Sequence, residues 1–422
     1  MVGPALESPP APPRGWLRRL GAGLITGAAD DDPGGIATYS QAGARFGYAT
    51  LWSALLTLPP MIAIQTVCAH VGRVTGRGLA ANMRQVYPKP LLLGLIGLLL
   101  LANIANLAAD IGAMGEALRL LAGGPAPLYA FGFALLSLAL EIWMPFPRYA
   151  PLLKLLTLSL FAYVLTALVA QVPWRSLAWQ LWPRHAGHDY MVVVVAIFGT
   201  TISPYLFFWQ ASEEAEEEEA ASDASPLLLA PEQAEAAFRR IRFDTGVGMV
   251  YSNVVAFFIM LTAAAVLHAH GVTDIRTSAQ AAQALQPLAG RFASALFAAG
   301  IVGTGLLAVP VLAGSGAYAV AEAFGVSAGL GRKPGEARLF YLIIAGATAL
   351  GTVLSFSPVD PVRLLFWSAV LNGVISVPLM VAIMRIAAHP GLMGPFAVRG
   401  ALRRMGWLAT AAMALPVLAM LL

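Results

Sequence analysis

The sequence predicts an all-α membrane protein of eleven transmembrane helices, built as two inverted halves of five helices whose first members, helices 1 and 6, are broken. Three observations predict it. Of 422 residues, 58% are hydrophobic and only 11% charged, with a mean hydropathy of +0.73, whereas soluble domains carry about a quarter charged residues. Apolar windows long enough to cross about 30 Å of hydrocarbon recur along the whole chain. Two of these windows carry helix-breaking residues at mid-depth, five spans apart.

The N-terminal stretch "MVGPALESPPAPPRG" is Pro-rich and lacks a small-residue cleavage pattern, so residues 1–19 are expected to form a disordered tail. Residues 20–422 are expected to form one transmembrane domain. Its spans fall near 20–47 (interrupted), 50–71, 91–117, 126–145, 150–172, 190–212 (interrupted), 245–269, 289–322, 337–356, 362–386 and 405–422. Helices 1–5 thus occupy 20–172, helices 6–10 occupy 190–386, and helix 11 closes the chain. The most polar part is the connection 213–243, which opens with "EEAEEEE".

Charge tests this count. Numbering the gaps alternately, 19 of the 26 Lys and Arg fall on the side of the N-terminus and seven on the other. By the positive-inside rule the N-terminus is expected in the cytoplasm and, with eleven spans, the C-terminus outside. The net charge of +4 gives a nucleic-acid partner no support; the partner that the composition demands is the lipid bilayer. The single cysteine, Cys68, excludes an intrachain disulfide framework or a Cys-based zinc site. It lies in an apolar run, as a packing residue would.

The first break lies in "GAADDDPGGIATYSQAG", residues 27–43. From Arg19, at the expected inner surface, to Asp32 is about 20 Å of helix, which puts Asp32 near the bilayer centre. Pro33 has no N–H to donate and disfavours helix in the residue before it, and Gly34 and Gly35 loosen the backbone further. The second break, Ser203-Pro204 in "FGTTISPYLFFWQ", is reached at similar depth from the opposite side. Discontinuous helices in corresponding positions of two halves point to a transporter's binding site. An aspartate at mid-depth costs about 2.5–3.5 kcal/mol on insertion scales, so Asp32 is the expected contact of a bound cation. Asp30 or Asp31 either contacts the ion directly, with Asp31 the candidate of the two, or serves only to attract cations or to hydrogen-bond neighbouring helices.

These stretches resemble the Nramp family of proton-coupled divalent-metal transporters. Asp32-Pro33-Gly34-Gly35, Gln41-Ala42-Gly43-Ala44 and Phe46-Gly47-Tyr48 match the family's first span in register. "GRVTGRGLA" (72–80) and "GRFASALFAAGIVGTG" (290–305) look like its second-span end and its eighth span. The resemblance implies a leucine-transporter-like fold and a divalent cation as transported substrate, with no cofactor. Carried over by position, it also implies that the backbone carbonyls of Ala29 and Thr200 coordinate the ion.

The departures from the family shape the expected chemistry. The family's Met-Pro-His in the sixth span is Ser203-Pro204-Tyr205 here, and its Asn ligand is Gly35. Replacing a soft thioether by a hydroxyl leaves an all-oxygen site suited to Mg²⁺, Ca²⁺ or Mn²⁺. Fewer protein ligands leave room for the waters that Mg²⁺ retains. The Nramp-related magnesium-transporting branch also lacks the Met and is the nearest resemblance, although it keeps the Asn. The hydroxyls of Thr200 and Thr201 are further oxygen donors, or bond the preceding helical turn. Proton coupling looks weakened, because the family's relay carboxylates in the third span correspond to Asn106 and Ala109, and its two sixth-span histidines to Tyr205 and Gln210. Asp110, one position from the lost glutamate, is either a replacement carrier or a buried acid bonded to a neighbour. The histidines, at 70, 185, 188, 268, 270 and 389, all lie near span ends or in loops.

Two further features stay open in the sequence. Glu213–Glu219 reads as a solvated charge run or as an acidic vestibule for an exiting cation. Asn372, in "SAVLNGVISVP", either joins the site or bridges helices. The expectation is a secondary transporter of hard divalent cations, Mg²⁺ before Mn²⁺, rather than an enzyme. The alternatives are an ordinary proton-coupled Mn²⁺/Fe²⁺ symporter, an amino-acid carrier, an intramembrane carboxylate enzyme and a non-transporting metal sensor.

Overall fold

The computed structural model describes residues 22–144, 158–182, 187–221 and 223–422. The tail 1–19, the first part of the expected fifth span and Arg148, Lys154, Arg184 and His185 lie outside the described residues. The described residues are helical, with turns and no strand.

Both expected breaks are present. The first span divides into α1 (Ala22–Asp30) and α2 (Pro33–Phe46), separated by Asp31 and Asp32. Pro33 takes the first position of α2, where a missing N–H costs nothing, and Asp32 caps it. The sixth span divides into α8 (His188–Thr201) and α9 (Pro204–Ala220), with Pro204 again at a helix start and Ser203 before it. Between them come α3 (Leu51–Thr75), α4 (Leu79–Val86), α5 (Lys89–Ala122), α6 (Ala126–Trp143) and α7 (Phe161–Val169). The second half continues with α10 (Ala234–Val266), α11 (Ala293–Phe324), α12 (Arg338–Ser355) and α13 (Pro361–Ala387), and α14 (Gly400–Leu421) ends the chain.

Among the described residues, nine helical stretches are long and apolar enough to cross a membrane. One of them, Pro33–Thr75, joins the second half of the first expected span to the whole of the second. The fifth expected span is represented by the shorter Leu158–Val169.

The polar connection expected over 213–243 is largely helical. Residues 213–220 continue α9 as helix, and α10 begins already at Ala234. Glu and Ala are good helix formers, and the glutamates find partners. Arg240 on α10 pairs with Glu214 and, at 3.0 Å, with Glu217. Arg73 on α3 pairs with Glu218 at 2.8 Å. Tyr318 on α11 donates to Glu216.

Packing shows why the two broken helices sit where they do. α1 and α2 both lie on α10, as α9 lies on α3, the exchange of partners expected when two halves are related by inversion. Small residues let these helices approach at backbone distance, as in other membrane bundles. A Cβ on Gly27 would stand 2.2 Å from the Gly248 carbonyl oxygen of α10. One on Gly199 of α8 would stand 2.1 Å from the Ala369 oxygen of α13. The first broken helix is thus seated on α10 of the opposite half, whereas α8 is seated on α13 of its own half and α9 on α3 of the other, where a Cβ on Gly72 would stand 2.2 Å from the Ala211 oxygen.

Candidate functional site

The site follows from how the two breaks end their helices. At the end of a helix the last carbonyls have no intrahelical partner and carry the negative end of the macrodipole. α1 ends at Asp30 and α8 at Thr201, so the carbonyls of Ala29 and Thr200, in the last turns, mark two electronegative ends. Asp32 stands in the gap, 3% exposed. Its Oδ1 accepts from the Gly35 N–H at 2.6 Å and its Oδ2 from the Tyr205 hydroxyl at 3.3 Å.

Tyr205 ties the breaks together, because its hydroxyl also lies 3.0 Å from the Ala29 carbonyl oxygen. Gly35 belongs to the same place, since a Cβ there would sit 3.3 Å from the Asp30 carbonyl oxygen and 3.4 Å from Thr200 Oγ1. Asp32, Ala29, Tyr205, Gly35 and Thr200 are thus brought together. Asp110, on α5, is buried beside Asp32, and the Gly34 N–H faces both carboxylates.

Other expected residues stand differently. The Ser203 hydroxyl turns back on its own helix, donating toward the Thr200 oxygen at 2.8 Å and the Gly199 oxygen at 2.9 Å. Thr201 donates to the Ile197 oxygen at 2.7 Å and meets the Tyr39 hydroxyl at 2.9 Å. Gln210 accepts from Thr26 Oγ1 at 2.5 Å, more than a turn along α9 from Tyr205. Asn372 accepts from the Asn106 side chain at 3.0 Å, a bridge between α13 and α5. Ala109 is buried and apolar.

Asp30 and Asp31 face α10, where Ser252 donates to Asp30 Oδ2 at 2.6 Å and approaches Asp31 Oδ1 at 3.2 Å. The second oxygen of each is buried without a partner among the described residues. Sequence reasoning missed Ser252, Thr26 and Tyr39. A polar pair inside the apolar run "MVYSNVVAFFIM" was the available signal for Ser252; Thr26 and Tyr39 are placed only by the packing of one break on the other. Among the described residues no group of three His, Cys, Asp or Glu is arranged to hold a metal ion. A cation here would meet the Asp32 carboxylate, with Asp110 beside it, among carbonyl, hydroxyl and water oxygens, a hard-ion environment.

Comparison with known proteins agrees with this architecture. The Nramp family, described as natural resistance-associated macrophage protein-like, matches residues 23–422. A protein of Granulibacter bethesdensis named divalent metal cation transporter MntH is 27% identical over 95% of this chain and 87% of its own. A protein of the same name from Xanthomonas campestris pv. campestris is 28% identical over 93% of this chain and 88% of its own. A solved manganese transporter of Eremococcus coleocola, an H236A mutant, superposes with a TM-score of 0.76 at 18% identity, covering 96% of this chain and 87% of that one. The nucleobase-cation-symport-1 transporter Mhp1, in a closed conformation, gives 0.56 at 15% identity over 95% of this chain and 91% of that one. At such identities these two structures speak for the fold alone. The match over nearly the whole length does more: the chain belongs to the Nramp family, and is a multi-pass membrane transporter rather than an enzyme.

Proposed function

We propose that this protein carries hard divalent cations, Mg²⁺ before Mn²⁺, through the break at Asp32, down the membrane potential and without a proton relay. The observation that carries the reading is the donor set. The groups gathered around Asp32 are oxygens and backbone N–H groups, and Ser203 occupies the position of the family's thioether. The Ala29 carbonyl and Asp32 are the first ligands in this reading. The Thr200 carbonyl joins once Ser203 releases it, and waters complete the shell.

The absence of a relay is supported by the neighbours. Asn106 is engaged with Asn372 and Gln210 with Thr26, and none of these four side chains titrates. A divalent cation gains about 2.3 kcal/mol per charge for each 100 mV of potential, enough to drive influx alone. In this reading the N-terminus lies in the cytoplasm and the C-terminus outside, an orientation that the charge asymmetry supports.

A second reading, a proton-coupled Mn²⁺ or Fe²⁺ symporter, is favoured by Asp110, a buried carboxylate beside Asp32. Uptake into liposomes separates the two, comparing Mg²⁺ with Mn²⁺ while internal pH is recorded. Mg²⁺ influx without acidification supports the first reading. Mn²⁺ influx with acidification and no Mg²⁺ supports the second, and no flux of any cation favours a sensor.

A further inference from the structure

We propose that Tyr205 and Gln210 form an ion-operated latch, which fastens α1 to α9 and is released when a divalent cation binds at Asp32. The inference rests on Asp32 being the cation site and goes beyond it, because it says how occupancy opens a path.

Tyr205 lies in the first turn of α9, its side chain fully buried. Its hydroxyl has one hydrogen and two acceptors, the Ala29 carbonyl at 3.0 Å and Asp32 Oδ2 at 3.3 Å. These are the two oxygens a cation in the break would take. A cation between them repels the phenolic hydrogen from the same space, so binding turns the hydroxyl away and removes its link to α1.

The other fastener lies five residues along α9. Thr26 donates to Gln210 Oε1 at 2.5 Å, and the same hydroxyl reaches the Ala22 oxygen at 2.7 Å. Thr26 stands one helical turn from Ala29, so both fasteners lie on one face of α1. Each is a single hydrogen divided between two acceptors. On its α10 side, by contrast, α1 is held by the Gly27–Gly248 seat and by Asp244, which accepts from the Gly23 N–H at 2.7 Å and the Leu24 N–H at 3.2 Å. Toward α9 the Ala22 N–H also meets the Glu217 carboxylate at the far end of α1, so the cation competes directly for the fastener nearest the break.

Hydrogen exchange of the α1 amides, in the full-length protein in nanodiscs with and without Mg²⁺, tests this. In the wild type, Mg²⁺ should speed exchange over residues 23–30 about tenfold, the scale of one lost hydrogen bond. In Tyr205→Phe exchange should already be fast without Mg²⁺ and respond little to it. Thr26→Val, which keeps the side-chain volume, should loosen α1 without removing the Mg²⁺ response. The latch is overturned if both variants exchange as slowly as the wild type, or if Mg²⁺ slows or leaves unchanged the exchange of wild-type α1. Thermal stabilisation by Mg²⁺ in the same samples, with Asp32→Asn alongside, locates any failure. Stabilisation that depends on Asp32 with no change in α1 exchange overturns the latch alone. No stabilisation at all overturns the cation reading, and the latch as an ion-operated device falls with it.

Discussion

The two breaks sit in matching places and are built from opposite materials. The first carries three aspartates and a proline followed by two glycines, and it presents a carboxylate to the gap. The second carries no charge, and the Ser203 hydroxyl satisfies its own helix through the Thr200 and Gly199 carbonyls. What the second contributes instead is Tyr205, a neutral group reaching across to the first. The division is between a half that holds charge and a half that closes over it. A break needs an ionised group only where a charge has to be met, whereas closure is achieved with neutral hydrogen bonds that cost less to bury.

That contrast can be broken most severely at Asp32. Asp32→Asn should abolish cation uptake in liposomes while the protein still folds, since the amide keeps the size and the oxygen that accepts from the Gly35 N–H but not the charge; surviving uptake would place the essential charge elsewhere. Next in size are the helix seats. Gly27→Ala and Gly199→Ala each push a methyl into a facing carbonyl and should cost about 1–3 kcal/mol by overpacking, read as a lowered melting temperature. Equal losses would show that the two broken helices are held alike despite their different chemistry. Ser203→Met should shift selectivity toward Cd²⁺ and Mn²⁺ by several-fold in competition uptake, and no shift would remove Ser203 from the ion's surroundings. The smallest effect is expected of Asp31→Asn, because that carboxylate faces Ser252 of α10; uptake should stay within a few-fold of wild type, in contrast to its neighbour.

Both breaks were legible in the sequence, because Pro33 and Pro204 act through local chemistry: a missing N–H and a restricted preceding residue leave the chain few choices. Their opposition across the site could be read from counting spans. The acidic stretch at the end of α9 was less legible. Seven residues that read as a charge run or a vestibule form helix, with Glu214 fully buried against Arg240, and the partner that makes this affordable lies 26 residues away in sequence. Of the site itself, the sequence pointed to Asp32 and its neighbours but not to which hydroxyls meet. The turning back of Ser203 and the reach of Tyr205 depend on rotamers and on the distance between helices, neither of which a residue pattern encodes.

The separateness of α1 has a mechanical consequence. Nine residues make a rigid rod of about 14 Å, pivoted at Asp31–Asp32 and pressed along one flank against α10. A tilt of about 20° about that pivot would sweep the Ala22 end through about 5 Å while the Ala29 carbonyl, two or three residues from the fulcrum, shifts by about 1 Å. Such a lever widens an exit at one end without dismantling the ion's cradle at the other, so the route out can open while the cargo is still gripped.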